Sequence, residues 1–312
     1  MSNNQNTAFL VSVGIPTYNR PDGLERTLQQ ISIQTYKNLE IIISDNCSEN
    51  PDVKKIALKF CSNDSRVQYF RQETNIGAGN NFKVVLEKAK GEYFMWAADD
   101  DEWDPLFIET CLKNIGDAGA CMQHSYKTIV RETGRVILYD LPVLSSRKSV
   151  FENVISFFSS VRPSLFYGLF RRQTIMQFLD DQEFDIYDVF FLTRYILTHG
   201  FNTFPEQLYT AGIDGSDYNF KPMIKKKGRL FSYKPLLLKT ISEILKCRKL
   251  SFIEKHIVAK FFFFKVLMYF INYEKKYRPN QVKVVRFLLR AIIYIDVRIS
   301  KVFKIHNYYI VK

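Results

Sequence analysis

Short apolar runs alternate with helix-like patterns through the first third of the chain. Each run is rich in β-branched or aromatic residues and ends at polar residues, and the runs occupy positions 9–15, 39–44, 67–71 and 91–98. A helical pattern covers residues 24–34. Strands that alternate with helices in this way are typical of parallel βαβ units. The pattern therefore predicts an α/β fold in which helices flank a mostly parallel sheet, with further strands at 121–126 and 163–172.

A polar cluster follows each of the first three predicted strands. The clusters are Pro-Thr-Tyr-Asn-Arg at 16–20, Asp-Asn at 45–46 and Asn-Ile-Gly-Ala-Gly-Asn-Asn at 75–81. The glycines at 77 and 79 lack the spacing of a dinucleotide-binding fingerprint, so they predict the start of a helix near Asn80. In open α/β sheets the ligand binds outside the carboxyl ends of the strands. We therefore expect the clusters to lie along one edge of the sheet and to contact one ligand.

Three consecutive carboxylates, Asp99, Asp100 and Asp101, follow the fourth predicted strand. Adjacent anions repel one another unless a positive charge offsets the repulsion. Oxygen-only donors favour Mg²⁺ or Mn²⁺, ions that commonly bind one or two carboxylates together with phosphate oxygens and water. The triplet therefore predicts a divalent metal site, although an acidic turn that caps the next helix would explain the same residues.

The order of these motifs resembles the family-two inverting glycosyltransferases, which have a GT-A fold. The resemblance covers roughly the first 220 residues and is carried by Ile-Pro-Thr-Tyr-Asn-Arg, Ser-Asp-Asn, Asn-Ile-Gly-Ala-Gly-Asn-Asn, Lys-Gly-Glu-Tyr and Asp-Asp-Asp-Glu-Trp-Asp-Pro. Each fragment alone is weak, but five in the right order and spacing are specific. The resemblance implies a bacterial, metal-dependent transfer of sugar from a nucleotide diphosphate, by family default UDP, to a saccharide or lipid-linked saccharide in surface-polysaccharide synthesis.

The resemblance also implies a donor site. Pro16, Thr17 and Tyr18 would border the nucleotide, Asp45 would bind the base, and Arg71 would lie beside it. Many relatives read Asp-Ala-Asp-Asp where this chain has Ala98 in place of the first aspartate. Asp100 is therefore the main candidate for the metal ligand, and Asp101 and Asp99 follow it. The implied nucleotide-sugar contacts are Pro16, Thr17, Tyr18, Asn19, Asp45, Asn46, Arg71, Asn75, Gly77, Asn80, Asp99 and Asp100.

Inverting sugar transfer needs one base that deprotonates the acceptor hydroxyl. Relatives place an acidic pair, commonly Glu-Asp, before a helical apolar pattern. Asp188 matches the second member of that pair, and Tyr187 replaces the first. Asp185 lies one helical turn away and is the second candidate. Alternatively, Asp188 is a helix N-terminal residue that interacts with the helix dipole and free backbone amides.

Two other functions fit parts of this pattern. A sugar-phosphate nucleotidyltransferase would share an α/β nucleotide site and a metal, but it would normally have a Gly-rich loop with Arg and Lys after the first strand, where this chain has Pro-Thr-Tyr-Asn. A non-catalytic membrane scaffold with the same fold would bind the nucleotide sugar without turnover.

Composition divides the chain near residue 222. Residues 223–312 contain 22 Lys and Arg against 4 Asp and Glu, a net charge of +18, whereas the whole chain carries +12, so residues 1–222 carry −6. We expect residues 1–222 to form the catalytic domain, with the donor site in 9–105 and the acceptor and base part in 106–222. Residues 223–312 would form a basic helical tail.

The tail has apolar runs shorter than the roughly 20 residues that span a bilayer. On a helix of about 100° per residue, residues 283–304 gather their Lys and Arg side chains on one face. Such an amphipathic basic helix suits anionic lipid headgroups, and we expect the tail to bind a membrane surface. Packing on the catalytic part or on a second copy in a homodimer is the alternative. No nucleic-acid partner is expected, because the donor motifs supply a function that needs none.

The five cysteines, at 47, 61, 111, 121 and 247, have scattered spacing and no paired motif. This spacing argues against a disulfide framework and for a reducing compartment. Residues 1–7 have neither the basic start nor the apolar core of a signal peptide. We therefore expect a cytoplasmic protein on the inner face of the cytoplasmic membrane.

Overall fold

The computed structural model describes residues 9–130, 133–161, 163–178, 187–213 and 234–277. Its strands are β1 (Val11–Thr17), β2 (Leu39–Asp45), β3 (Val67–Arg71), β4 (Tyr93–Trp96), β5 (Glu102–Trp103), β6 (Ala120–Gln123), β7 (Ser125–Val130), β8 (Arg135–Asp140), β9 (Leu169–Arg171), β10 (Asn202–Phe204) and β11 (Tyr209–Ile213). Its helices are α1 (Pro21–Ser32), α2 (Pro51–Asn63), α3 (Ala78–Lys88), α4 (Phe107–Asn114), α5 (Val150–Ser159), α6 (Arg172–Met176), α7 (Tyr187–Thr198), α8 (Lys234–Lys246) and α9 (Phe252–Tyr277). The predicted α/β class is confirmed.

The central sheet has the strand order β10-β6-β9-β4-β1-β2-β3. Strands β1 to β4, β6 and β10 run parallel, and β9 runs antiparallel between β4 and β6. Every residue of β1 and β2 is buried, as expected for parallel strands covered on both faces. Helices that connect parallel strands place the ends of β1, β2 and β4 along one edge, as the sequence predicts.

Strand β1 ends later than the sequence predicts, because Pro16 and Thr17 belong to the strand. Pro16 pairs with Ser44 of β2. The register of β1 with β4 ends at Gly14, so Pro16, which has no N–H group to donate, lies beyond the pairing with β4. Helix α1 then begins at Pro21, a residue type whose fixed φ suits the first helical position.

The two strands predicted after the acidic triplet were wrong in detail. The run 121–126 divides into β6 and β7, which belong to different sheets. The run 163–172 contains a 3-10 helix (Pro163–Tyr167) before the short strand β9. Apolar periodicity alone does not distinguish a strand from a buried 3-10 turn. It also does not show where the chain passes from one sheet to another.

A second sheet has the order β5-β11-β7-β8. Strand β5 follows the acidic triplet and pairs antiparallel with β11 through Trp103 and Tyr209. The segment that contains Asp99, Asp100 and Asp101 is therefore held by β4 of the central sheet before it and by β5 of the second sheet after it.

Contacts divide the chain into a unit of residues 1–259 and a unit of residues 260–312. In the first unit, α8 packs on α7, where Arg194 Nε lies 3.6 Å from Glu243 Oε2 and the Cys247 thiol donates to the Leu197 carbonyl. Among the helices that the structure describes, none is long and apolar enough to cross a bilayer. The boundary predicted at 222, Asp185 and the helix predicted at 283–304 lie outside the described residues, so these predictions stay untested.

Candidate active site

The ends of β1, β2 and β3 lie side by side. Thr17 pairs with Asp45, and Asp45 pairs with Arg71. Asn81, in the first turn of α3, joins these strands to the helix, because its side chain accepts a hydrogen bond from Ser44 Oγ at 2.6 Å and donates to the Ser44 carbonyl at 2.9 Å. Three of the predicted polar clusters therefore meet at one edge of the sheet.

Asparagine side chains shape the loops at this edge. Asn19 has a φ of 57°, a left-handed conformation that asparagine adopts more readily than most residues, and its side-chain oxygen accepts from the Glu49 and Asn50 amides at 2.9 and 3.1 Å. Asn46 donates to Asn75 Oδ1 at 3.0 Å. These contacts hold the loops after β1, β2 and β3 together. Donor contacts by Asn19, Asn46 and Asn75 stay predictions, as do those by Gly77 and Asn80, which follow at the start of α3.

Asp45 is buried in a set of polar contacts. Its carboxylate accepts from the Tyr69 hydroxyl at 2.8 Å and from the Ser48 amide at 2.8 Å, and Arg71 Nε lies 3.6 Å away. Burial raises the pKa of Tyr69, and the hydrogen bond to Asp45 raises it further. The hydroxyl therefore stays protonated and acts as a donor. Arg71 remains half-exposed, and the Tyr18 side chain is 40% exposed. Both are therefore accessible to a ligand.

The acidic turn, formed by Asp99, Asp100 and Asp101, is paired with a cationic side chain of the protein, Arg20. One nitrogen of Arg20, Nη1, lies 3.1 Å from Asp99 Oδ1 and 3.0 Å from Asp100 Oδ2. The Thr17 hydroxyl donates to Asp99 Oδ2 at 2.7 Å. Burial raises the pKa of Asp99 to about 6, against the opposing effects of Arg20 and Thr17. Burial lowers the pKa of the Arg20 guanidinium, but the charges of Asp99 and Asp100 outweigh this and raise it above its ordinary value.

Asp101 points into the second sheet. Its carboxylate accepts from the Tyr209 hydroxyl at 2.6 Å and from the Gly212 amide at 3.0 Å. Burial raises the pKa of Asp101, and the negative charge of Asp100 raises it further. Both oxygens of Asp101 are therefore used to fasten the turn to β11. The prediction that Asp101 binds the metal stays untested, and its contacts give it a positioning role in addition.

A close backbone contact fixes the other side of the turn. Gly23, in the first turn of α1, faces the Asp99 carbonyl so closely that a Cβ atom on it would lie 2.0 Å from that oxygen. No side chain fits at such a distance, so only glycine lets α1 approach the acidic turn. The same approach places Arg20, which directly precedes α1, beside Asp99.

The donor chemistry of the turn fits a divalent metal bound with phosphate. Within the described ranges, no group of three or more His, Cys, Asp or Glu side chains could hold an ion. Asp99 and Asp100 nevertheless present carboxylate oxygens to a cation already, the guanidinium of Arg20. Mg²⁺ and Mn²⁺ commonly bind one or two carboxylates and take phosphate and water for the rest.

Asp188 occupies the first turn of α7, as predicted. Its side chain is half-buried, and its Oδ1 accepts a hydrogen bond from the Val189 amide at 2.8 Å. Burial raises the pKa of Asp188 to about 6. A carboxylate with this pKa is deprotonated near neutral pH and is a better base than an ordinary aspartate.

Packing along α7 places Asp188 at the same edge as the other clusters. Near the end of α7, the Tyr195 hydroxyl donates to the Ala118 carbonyl, just before β6 begins. One turn earlier, Phe191 packs edge-on against Trp96, the last residue of β4, with ring centroids 5.8 Å apart. Helix α7 therefore runs against the parallel strands. Asp188, one further turn toward the helix start, lies at the carboxyl edge of the sheet.

Several residues at the site were not assigned a role from the sequence. Arg20 stands in the first motif, but its contact with two carboxylates depends on the return of the chain after β4. Asn81 belongs to the third motif, but its contacts with Ser44 depend on the pairing of β1 with β2. Tyr209 lies far from the acidic triplet in sequence, and no local pattern predicts its contact with Asp101. Gly23 gives a weak signal, since a glycine in the first turn of an amphipathic helix suggests a close approach.

Comparison with known proteins identifies the family of the chain. The family model for glycosyl transferase family 2 matches residues 12–195. The chain is 38% identical over 111 residues to the GalNAc(5)-diNAcBac-PP-undecaprenol beta-1,3-glucosyltransferase of Campylobacter jejuni, covering 35% of this chain and 36% of that protein. It is 30% identical over 137 residues to an uncharacterized glycosyltransferase of Rickettsia conorii, covering 43% of this chain and 22% of that protein. These matches therefore span about a fifth to a third of the relatives.

Among solved structures, S. aureus TarS 1-349 has a TM-score of 0.66 at 15% identity, covering 86% of this chain and 74% of that one. The same protein in complex with UDP-GlcNAc has a TM-score of 0.64 at 16% identity, covering 82% and 72%. At these identities the likeness shows the fold. The family model, which matches more than half of the sequence, shows that the chain belongs to glycosyl transferase family 2.

Proposed function

We propose that this protein is a metal-dependent inverting glycosyltransferase that uses a UDP-sugar donor. The observation that carries the proposal is that β1, β2 and β4 end along one edge of the sheet. Asp45 lies at the end of β2, and the acidic pair Asp99 and Asp100 follows the end of β4. A nucleotide that spans this edge would place its base near Asp45 and its diphosphate near the acidic turn. The UDP and UDP-GlcNAc complexes of TarS support a uridine nucleotide.

The acceptor is proposed to be a saccharide or a lipid-linked saccharide of a bacterial surface polysaccharide. The Campylobacter jejuni relative, by its name, glucosylates an undecaprenol-linked glycan. Asp188 would remove the proton from the acceptor hydroxyl as that oxygen bonds to the anomeric carbon. The bond from the anomeric carbon to the diphosphate breaks on the opposite face, so the configuration inverts and the nucleoside diphosphate leaves.

A divalent ion, Mn²⁺ or Mg²⁺, would neutralise negative charge on the leaving diphosphate when it is bound. We propose Asp100 as its main protein ligand, with Asp99 beside it. Asp101 would hold the turn in place, since both of its oxygens already accept hydrogen bonds from β11.

The first test is nucleotide release from a panel of UDP-, GDP- and dTDP-sugars, with Mn²⁺, Mg²⁺ or EDTA. Slow metal-dependent release of one nucleotide would support the proposal and identify the donor. Asp100→Ala should abolish metal-dependent donor binding, whereas Asp188→Asn should leave donor binding near normal and lower turnover by about 10² to 10⁴-fold. Equal loss of donor affinity in both variants would contradict this division of roles.

We further propose that residues 223–312 bind an anionic membrane on its cytoplasmic face. The connection between α8 and α9 supports this proposal, because Leu245, Phe252 and Ile253 are 56%, 86% and 58% exposed there. Three cationic side chains, Lys246, Arg248 and Lys249, lie between them in sequence, and Lys255 follows Ile253. Exposed apolar residues flanked by cations suit the interface of an anionic bilayer.

A further inference from the structure

Arg20 uses one guanidinium nitrogen to bridge two carboxylates that face the same space. Its Nη1 lies 3.1 Å from Asp99 Oδ1 and 3.0 Å from Asp100 Oδ2, and each of these carboxylate side chains is only 10% exposed. The pair carries two negative charges, and the guanidinium offsets one of them. Any other cation that binds the same oxygens must share them with Arg20 or displace it.

The backbone of Arg20 is fixed, but its side-chain end is accessible. The Leu24 amide donates to the Arg20 carbonyl at 3.0 Å, and the preceding residue, Asn19, is held by hydrogen bonds from its amide to Ser48 Oγ and from two amides to its side chain. The Arg20 side chain is 33% exposed. The guanidinium can therefore change partners by side-chain rotation alone, without a change in the loop.

Two cations a few ångströms apart repel strongly where water is largely excluded. A divalent ion at Asp100 would lie beside the positive charge of Arg20 and would be bound weakly. A diphosphate at the same edge changes this balance, because its oxygens accept hydrogen bonds from a guanidinium in the fork geometry that arginine favours.

We propose that Arg20 is an internal counter-ion that competes with the divalent metal for Asp99 and Asp100 and transfers to the donor diphosphate when the nucleotide binds. This inference rests on the proposed metal-dependent donor binding. It makes the metal and the nucleotide bind with positive coupling, so that each raises the affinity for the other. The protein then binds the metal weakly until a donor is present.

The test compares Arg20→Gln with wild type in two separate titrations, and a third measures Mn²⁺ binding to wild type in the presence of UDP against a protein-free Mn²⁺–UDP reference. The free Mn²⁺ signal in electron paramagnetic resonance gives Mn²⁺ affinity without nucleotide, and calorimetry with UDP in EDTA gives nucleotide affinity without metal. We expect Arg20→Gln to bind Mn²⁺ about tenfold more tightly, because the competing charge is gone, and UDP about tenfold more weakly, because the phosphate contact is gone. A merely structural role for Arg20 would weaken both affinities.

The matched control is Arg66→Gln. Arg66 also pairs with an aspartate, Asp64, at 2.7 Å, but it directly precedes β3 and therefore lies at the opposite edge of the sheet. Both affinities should remain at their wild-type values in this control. Arg20→Lys keeps the charge but has one compact ammonium group, which suits a two-carboxylate bridge less well, so its Mn²⁺ affinity should fall between those of wild type and Arg20→Gln.

The outcomes separate the two proposals. If wild type binds Mn²⁺ in the presence of UDP but Arg20→Gln does not bind Mn²⁺ more tightly without UDP, the counter-ion role of Arg20 is wrong and metal dependence stands. If wild type binds no Mn²⁺ even with UDP, metal dependence and the Arg20 proposal both fail. Should Arg20→Gln not fold, Arg20→Lys decides, and an unchanged or weaker Mn²⁺ affinity overturns the counter-ion role.

Discussion

Asp188 is a carboxylate whose charge the fold disfavours. Burial raises its pKa to about 6, above its ordinary value, so the protonated form is favoured in the folded protein and ionisation costs folding free energy. The cost is absent below the unfolded pKa, near 4, and is complete above the folded pKa, near 6. A general base benefits from such a raised pKa, because its carboxylate binds a proton more readily. The charge of a helix-capping aspartate would instead stabilise the folded protein.

Asp188→Asn should therefore melt at a higher temperature than wild type at about pH 8, and the difference should vanish at about pH 4. Thermal unfolding at the two pH values measures this directly. Asp22→Asn is the matched control, because Asp22 is an exposed carboxylate in the first turn of α1 and should be slightly stabilising when charged. A lower melting temperature for Asp188→Asn at about pH 8 would favour the capping role instead.

Gly23 should tolerate no side chain. In an ordinary helix, Gly→Ala stabilises by about 0.4 to 1 kcal/mol, but a Cβ atom at Gly23 would lie 2.0 Å from the Asp99 carbonyl oxygen. Gly23→Ala must push α1 away from the acidic turn, and overpacking of this kind costs about 1 to 3 kcal/mol. Urea denaturation would measure the loss, and UDP binding should weaken as Arg20 moves. Gly79→Ala in the exposed start of α3 is the control, with no loss of stability expected.

At the scale of elements, the hydrogen bond between Asp101 and Tyr209 ties the acidic turn to β11. Tyr209→Phe would leave a buried carboxylate oxygen without its donor, which costs about 1 to 3 kcal/mol. Tyr126→Phe is matched to it, because the Tyr126 ring lies 6.0 Å from that of Tyr209 in the same sheet. Within the described residues the Tyr126 hydroxyl shows no hydrogen bond, so its loss should cost little. Equal destabilisation of both variants would contradict the role assigned to the Asp101 contact.

The elements that the sequence predicts well are those whose signals are local. Strand β3 has the predicted bounds, and α3 begins beside Asn80, because both depend on short runs and adjacent loop residues. The convergence of Thr17, Asp45 and Asp99 also follows from sequence, since parallel strands share their carboxyl edge. The partner of Asp101 does not follow, because Tyr209 is 108 positions away and reaches it through the pairing of β5 with β11.

At the scale of the whole molecule, charge is distributed unevenly along the chain. Residues 1–222 carry a net charge of −6 and residues 223–312 carry +18. An anionic membrane would therefore repel the first segment and attract the second. Attraction alone is screened by salt, with a Debye length of about 8 Å at physiological ionic strength. Stable binding thus needs apolar insertion as well, and among the described residues Phe252 and Ile253 are two exposed side chains that offer it.

The double variant Phe252→Ser/Ile253→Ser should bind phosphatidylglycerol vesicles at least about tenfold more weakly than wild type in flotation assays, since each tenfold is only about 1.4 kcal/mol of lost insertion. The matched control is Val136→Ser/Leu138→Ser, which removes two apolar side chains of 54% and 65% exposure from β8 and should leave vesicle binding unchanged. Donor hydrolysis without a lipid acceptor should be unaffected in both. If the first variant instead converts a dimer to a monomer in light scattering and keeps its affinity for vesicles, the patch joins two copies of the chain, and the membrane proposal for it is wrong.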